Sequence, residues 1–261
     1  MTVLDIPRGM AMKDQAGWNQ TESDWRRLLD LEPGGCFAAE VEGRLVGTAV
    51  ASAFGPVGWL AMVLVAPAMR GRGIGTRLVE HALAYLDRRG AGTVRLDATP
   101  LGEPIYRRLG FVPEYELARW EGTARVGTAH PSIQPMTVGE IDEVAKLDRE
   151  TTGTDRRRLI HLLHRQQPGA MRCFHVGGEL LGYATFRRGS RAVQIGPAIA
   201  AAEDAGRALC GSVLRDCAGQ TVYVDIPVEN SAASHWADSM GLVMQRRFTR
   251  MRRGPGPWDR P

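Results

Sequence analysis

Apolar and polar residues alternate along this chain in two successive rounds of one pattern. In the first round, Thr21-Glu-Ser-Asp24 predicts a capped helix start ahead of Trp25, Leu28 and Leu29, which share a helical face. Residues 36–41 and 45–53 predict two strands around a tight turn at Glu42-Gly43. The unbroken apolar run 60–65 suits a strand buried on both faces. Ile74, Leu78, Val79, Ala82, Leu83 and Leu86 then follow helical spacing up to Arg88-Arg89-Gly90, where basic residues and a glycine predict the stop. A strand over 93–99, a short helix over 103–109 and a strand over 111–120 complete the round.

The second round predicts a helix from Thr137-Val-Gly-Glu140 and another over 155–166. Strands at 171–176 and 180–186 flank Gly177-Gly178, and a strand (192–197), a helix (203–217) and a strand (221–227) follow. Gly178-Glu-Leu-Leu-Gly182 echoes Gly43-Arg-Leu-Val-Gly47, Pro197 is matched to Pro67, and Gly241-Leu242 to Gly110-Phe111. A period this long predicts two copies of one domain rather than a solenoid. The Gly-, Thr- and Pro-rich stretch 121–132 separates the copies. The expected organisation is a domain over 1–122, a linker over 123–132 and a second domain over 133–261.

Composition narrows the function. The 261 residues suit two domains, and no apolar run is long enough to span a membrane. The first ten residues lack a signal-peptide pattern, and four scattered cysteines do not form a disulfide framework, so a cytoplasmic location is expected. A net charge of +4 is mild, and only Lys13 and Lys146 among the 33 basic residues are lysines. No face-long basic stripe predicts nucleic-acid binding.

The chemistry concentrates in Arg70-Gly71-Arg72-Gly73-Ile74-Gly75, between the apolar strand and the amphipathic helix. Alternate glycines let the backbone turn tightly and present consecutive N–H groups, which with the first helical turn through Thr76 form an anion nest. Arg70 and Arg72 add charge, and a pyrophosphate is the natural guest. The dinucleotide-binding pattern would need glycine at Thr76, and a Walker loop would need Gly-Lys-Ser/Thr.

Arg-x-x-Gly-x-Gly after a strand ending in Val-x-Pro resembles the pyrophosphate loop of the GNAT superfamily of N-acetyltransferases. Pro104-Ile-Tyr-Arg-Arg-Leu-Gly-Phe111 resembles the same family's short helix and following strand, with Tyr106 at the position of its general acid. Thr99 departs from the asparagine common there. The resemblance implies an α/β fold with a mixed sheet in two tandem GNAT domains. It also implies that Val63, Leu64 and Val65 offer open backbone to the pantetheine of acetyl-CoA. A backbone N–H on that strand would meet the thioester oxygen, and Tyr106 would protonate the departing thiolate. Asp97, Glu103, Asp24 and Glu22 are candidates for the base. Trp18 and Asn19 lie where the family places the acceptor-side wall and are candidate substrate contacts.

In the second copy, the matched prolines set Ala200-Ala-Ala-Glu-Asp-Ala205 against the glycine loop, and Ala237 against Tyr106. That copy is read as having kept the fold and lost the cofactor, with 152–156 a candidate contribution to the acceptor pocket. Cys210 and Cys217 read as core, His235 as surface, and His161-x-x-His164 lacks a third ligand, so no metal is expected. The expected function is acetyl-CoA-dependent N-acetylation of a primary amine, a small molecule, by a monomer whose two domains imitate a dimer, or by a homodimer. A non-catalytic acetyl-CoA sensor and a protein or peptide acetyltransferase are the alternatives. No nucleic-acid or membrane partner is expected.

Overall fold

The computed structural model describes residues 1–125 and 130–256, and part of the expected linker, 126–129, lies outside the described residues. By contacts the chain divides into two compact units. One comprises Met1–Glu114 with the described residues from Thr249 onward, and the other Tyr115–Phe248. Residues 115–122 and 249–256 therefore each stand in the unit opposite to the one their place in the sequence suggests.

The first unit opens with helices α1 (Ile6–Gln15) and α2 (Glu22–Leu31). The Thr21–Asp24 capping box is present, Asp24 Oδ2 accepting from the Thr21 N–H at 2.7 Å. Strands β1 (Cys36–Val41) and β2 (Arg44–Phe54) form the hairpin, with Glu42 and Gly43 both left-handed (φ 50° and 69°), as a two-residue turn between twisted strands requires. Strand β3 (Val57–Val65), helix α3 (Ile74–Arg88), strand β4 (Thr93–Ala98) and helix α4 (Glu103–Arg108) follow. The apolar stripe of α3 is buried, Val79, Ala82 and Leu86 completely, and each large aliphatic side chain so removed from water contributes about 1.5–3 kcal/mol. Gly47 lets that helix approach, because a Cβ there would lie 2.9 Å from Leu78 Cδ1 and 3.0 Å from the Leu64 carbonyl oxygen.

The second unit repeats the frame. It begins with strand β5 (Val112–Thr123), short strand β6 (Ile133–Pro135) and helices α5 (Ile141–Thr152) and α6 (Arg157–Gln166). Strands β7 (Arg172–Val176), β8 (Glu179–Arg187) and β9 (Val193–Ala200) lead to helix α7 (Glu203–Asp216), strand β10 (Thr221–Pro227), helix α8 (Ser231–Ser239) and strand β11 (Val243–Arg253). Gly182 does for Leu209 of α7 what Gly47 does for Leu78.

Strand order is β1-β2-β3-β4-β11 in the first unit and β5-β10-β9-β8-β7-β6 in the second. The pairs β3/β4 and β9/β10 are parallel, making the sheet mixed. The edge partners are exchanged. Residues 249–253 of β11 pair antiparallel with β4, and residues 117–123 of β5 pair antiparallel with β10. The same cross-strand couple marks both joints, Arg250 opposite Asp97 and Arg119 opposite Asp225, each held as an ion pair. The first round's last strand thus completes the second unit, and β11, which the hydrophobic pattern did not predict, completes the first.

Candidate active site

The site forms where β3 leaves its neighbour. Val57, Gly58 and Trp59 pair with Thr93, Val94 and Arg95, after which the two parallel strands have no further register partners. Across β3 the register against β2 also slips, with Thr48 opposite Leu64 but Val50 opposite Ala61. Met62 and Val63 therefore stand together opposite Ala49 as a β-bulge. Met62 is left-handed (φ 53°) although its side chain is buried, a backbone state that costs a non-glycine residue about 1–3 kcal/mol and persists only where the surroundings enforce it. The bulge releases backbone from the ladder at the start of the predicted Val63-Leu64-Val65 segment. It also turns the strand's faces. Met62 and Leu64 belong to a core with Trp18 against it, whereas Val63, Val65 and Ile74 pack on the core that contains Tyr106.

The loop from β3 to α3 holds the predicted glycines. Gly71 and Gly73 both have φ of 75°, and no heavy atom lies within 4 Å of where a Cβ would stand on either, so the left-handed backbone rather than crowding calls for glycine there. Gly73 is the N-cap of α3 and supplies no side-chain cap, so the first-turn amides of Ile74, Gly75 and Thr76 have no intrahelical acceptor. An uncapped N-terminus of a 15-residue helix, with its dipole, is suited to phosphate oxygens. Arg72 is exposed beside it, while the Arg70 Nε donates to the Val65 carbonyl at 3.1 Å, tying the loop to the strand end. These residues fit a pyrophosphate, and the adjoining open strand fits an extended amide-bearing arm.

Tyr106 lies on α4, 9% exposed, its ring edge-on to Phe111 at 5.8 Å. Burial pushes its phenol up to about 12, so it holds its proton throughout the neutral range. The structure assigns its hydroxyl no hydrogen-bond partner among the described residues, leaving the donor uncommitted. Next to it on the helix, Ile105 Cδ1 and, from β3, Val65 Cγ2 lie 3.8 and 3.6 Å from the position of a Cβ on Gly75, which sets α4 against the start of α3. Thr99 Oγ1 accepts from the Gly102 N–H at 3.3 Å and so serves the start of α4. On the other side, Trp18 is half-buried and Asn19 is 3% exposed in the connection between α1 and α2. Beside them Gln20 Oε1 is buried without a hydrogen-bond partner among the described residues, an acceptor that no pattern in the sequence marked.

The four candidate bases are committed elsewhere. Asp97 is chelated by Arg250, whose guanidinium also lies over the Trp59 ring at 4.7 Å. Glu103 accepts from Arg107 at 2.8 Å and from Thr249 at 3.0 Å, and those bonds hold its carboxyl below the usual range. Asp24 caps α2 and pairs with Arg27, and Glu22 pairs with Arg26 on the exposed face of the same helix. Both partners of Asp97 and Glu103 that come from β11 lie some 150 residues away in sequence, which is why composition and spacing could not find them.

The second unit differs at the corresponding place, and the matching of prolines needs correction. Gly182 pairs with Ala200 as Gly47 pairs with Val65, which puts Pro197 inside β9 rather than after it. Eight residues (66–73) join β3 to α3, but only Ala201 and Ala202 join β9 to α7. The glycine loop is missing there, not substituted. The parallel strands still diverge, after Ile195 and Val224, and enclose a cavity of about 380 Å³ whose lining includes Ile199, Ile226, Asn230 and Trp236, with Glu203 at its rim. Residues 152–156 take part in a buried network. Asp148 accepts from Arg156 at 2.8 and 2.5 Å and from the Tyr183 hydroxyl. Cys210 and Cys217 are free thiols that burial pushes up to about 12, and His235 is exposed. Among the described residues no three His, Cys, Asp or Glu side chains are grouped to hold a metal, and no helix is long and apolar enough to cross a membrane.

Known proteins resemble this chain in family and fold. Residues 9–111 match the Acetyltransferase (GNAT) family and residues 144–260 the Acetyltransferase (GNAT) domain. The chain is 27% identical to holothin acyltransferase of Pseudoalteromonas sp. (strain SANK 73390), over 92% of this chain and 82% of the relative. Over 67 residues, 24% of this chain and 35% of the relative, it is 42% identical to streptothricin acetyltransferase of Streptomyces lavendulae. Its fold matches the crystal structure of a candidate acetyltransferase from Pyrococcus horikoshii with a TM-score of 0.85 at 23% identity, covering 100% of this chain and 89% of the other. It also matches a tandem GNAT protein from the clavulanic acid biosynthesis pathway, with a TM-score of 0.65 at 17% identity, covering 99% and 96%.

Proposed function

The chain belongs to the GNAT superfamily, carrying two of its domains in tandem, and on that premise we propose that it transfers an acetyl group from acetyl-CoA to a primary amine of a small molecule. The observation that carries the reading is the juxtaposition in one unit of a glycine loop, an uncapped helix N-terminus, a bulged strand with free backbone and an uncommitted phenol. The names of the two relatives, one an acyltransferase for holothin and one an acetyltransferase for streptothricin, support an acceptor of small size.

Gly71, Gly73 and the amides of Ile74, Gly75 and Thr76, with Arg72, would hold the pyrophosphate, and the backbone of Val63, Leu64 and Val65 would align the arm. Acetyl-CoA supplies the activated acyl carbon. A backbone N–H at the bulge would meet the carbonyl oxygen where negative charge grows as the amine nitrogen attacks, a contribution of the kind worth 10²–10³-fold in rate. The carbon–sulfur bond breaks as the carbon–nitrogen bond is made. Tyr106 would donate to the departing sulfur. With its phenol at about 12 against a thiol near 8.5, complete transfer runs uphill by roughly 3.5 pKa units, so the hydrogen bond strengthening on sulfur carries the effect. The nitrogen's own proton leaves to solvent, since Asp97, Glu103, Asp24 and Glu22 are held by arginines. Trp18 and Asn19 would form the acceptor wall.

The experiment is an amine screen with acetyl-CoA, following thiol release and the mass of the product. Saturable thiol release with a small amine supports the reading. Binding of acetyl-CoA without turnover would replace it by a sensor, and turnover with peptides alone by a protein acetyltransferase.

A further inference from the structure

The bulge in β3 has an anchor that lies outside the predicted site. Thr48, on β2, is fully buried, and its hydroxyl donates to the Met62 carbonyl at 2.8 Å. Met62 is one of two left-handed non-glycine residues among those described, and the other, Glu42, lies in an exposed hairpin turn where that state is ordinary. A buried hydroxyl therefore satisfies the carbonyl that the bulge takes out of the ladder. It fixes the orientation of the Met62–Val63 peptide, whose other end is the Val63 N–H. We infer that Thr48 is a positioning residue for the backbone donor that faces the reacting carbonyl, acting through Met62 without touching the substrate.

The second unit supplies an independent contrast. Counted from the glycine, Tyr183 stands where Thr48 does, opposite Ile199 as Thr48 is opposite Leu64. The slip, however, falls one residue later, so the residue that precedes it is Ala184, which has no hydroxyl. The Tyr183 hydroxyl turns away to Asp148. The register slip there falls between Ala184 and Phe186, where β9 carries Gly196 (φ 121°) and Pro197. Glycine adopts that backbone without an anchor, and proline has no N–H to offer. The unit that lacks the glycine loop has lost the anchor and altered the donor as well, as expected if the two serve one reaction.

The inference rests on the acyl-transfer reading, and its test separates the two. Thr48→Val keeps the shape and removes the hydroxyl, and Thr48→Ser restores it. In the full chain with acetyl-CoA and an amine found by the screen, T48V should lower kcat by about 10- to 100-fold, part of the worth of an oxyanion donor, while KM for acetyl-CoA changes less than about threefold. T48S should recover to within about threefold of the parent. Hydrogen exchange, which needs no turnover, should quicken at Met62–Leu64 in T48V and stay unchanged in the rest of β2 and β3. If T48V does not fold, the pair T48A and T48S poses the same question. A kcat within threefold of the parent, an equal loss in T48S, or unchanged exchange at the bulge would overturn the inference. A parent chain that binds acetyl-CoA and releases no thiol would overturn the acyl-transfer reading instead, and with it the catalytic consequence of the anchor.

Discussion

The first unit joins its central strand to the following helix by eight residues, and the second by two. Almost everything around that joint is shared, from the glycine under the helix to the diverging parallel strands and the Arg–Asp couple on the exchanged edge. The comparison teaches that the frame of the fold does not depend on the glycine loop. The buried α7 stripe and the hairpin turn at Gly177-Gly178 are kept in the second unit as their counterparts are in the first. A cleft survives there too, but no glycine loop leads into it, and the acidic residue in its lining, Glu203, is ion-paired with Arg207.

The sharpest way to break the comparison is to count ligands. Calorimetry should find one acetyl-CoA per chain, and Gly73→Asp should weaken it by at least about 10²-fold, because a carboxylate would face the phosphates from a backbone at φ 75° that only glycine adopts freely. Two comparable sites would show that the short joint does not exclude the ligand. Next in size, Tyr106→Phe should lower turnover by about 10²- to 10⁴-fold with acetyl-CoA affinity nearly unchanged, since only the donor is removed. Turnover within a few-fold of the parent, with chemistry rate-limiting, would demote the phenol to packing.

Asp148→Ala tests whether the second unit is frame alone. Removing one partner of a buried pair leaves Arg156 and the Tyr183 hydroxyl uncompensated, so denaturant unfolding should show a loss of about 3 kcal/mol. Turnover per folded molecule should stay within twofold, and a larger fall would bring that unit into the acceptor site. The smallest effect near neutrality concerns pH. Tyr106 and Tyr85 both sit near 12 against 10 in an unfolded chain, raised first by burial and, for Tyr85, also by its bond to Glu32. The unfolded state thus releases these protons first, and stability from this source is full below about pH 10 and declines through about 12. A melting temperature that held flat to pH 12 would contradict the burial of Tyr106.

Much of the candidate site was legible because its residues are local. The Arg70–Gly75 loop, the stripe of α3 and the segment around Tyr106 each declare themselves within a few positions. The bulge was not, since Met62 in an apolar run looks like any strand residue until its register is seen. Pro197 misled for a related reason. A proline after apolar residues reads as a strand exit, yet a bulge lets β9 carry it internally. Strand β11 was missed because Gln245-Arg-Arg-Phe-Thr-Arg-Met-Arg-Arg253 pairs its charges with Asp97 and Glu114, partners remote in sequence. Without them the run reads as solvated surface.

The exchanged edge also sets a timetable for synthesis. Strand β4 ends at Ala98 and the partner that covers its edge begins at Thr249, so about 150 residues must still be made after β4 emerges, roughly 8–30 s at 5–20 residues per second. Through that interval the nascent first unit presents an unpaired strand edge, the kind of surface on which neighbouring chains on one message can join wrongly. Its closure waits on Thr249–Arg253, and a message truncated between Ala98 and Thr249 would yield a complete glycine loop on a sheet without its edge strand.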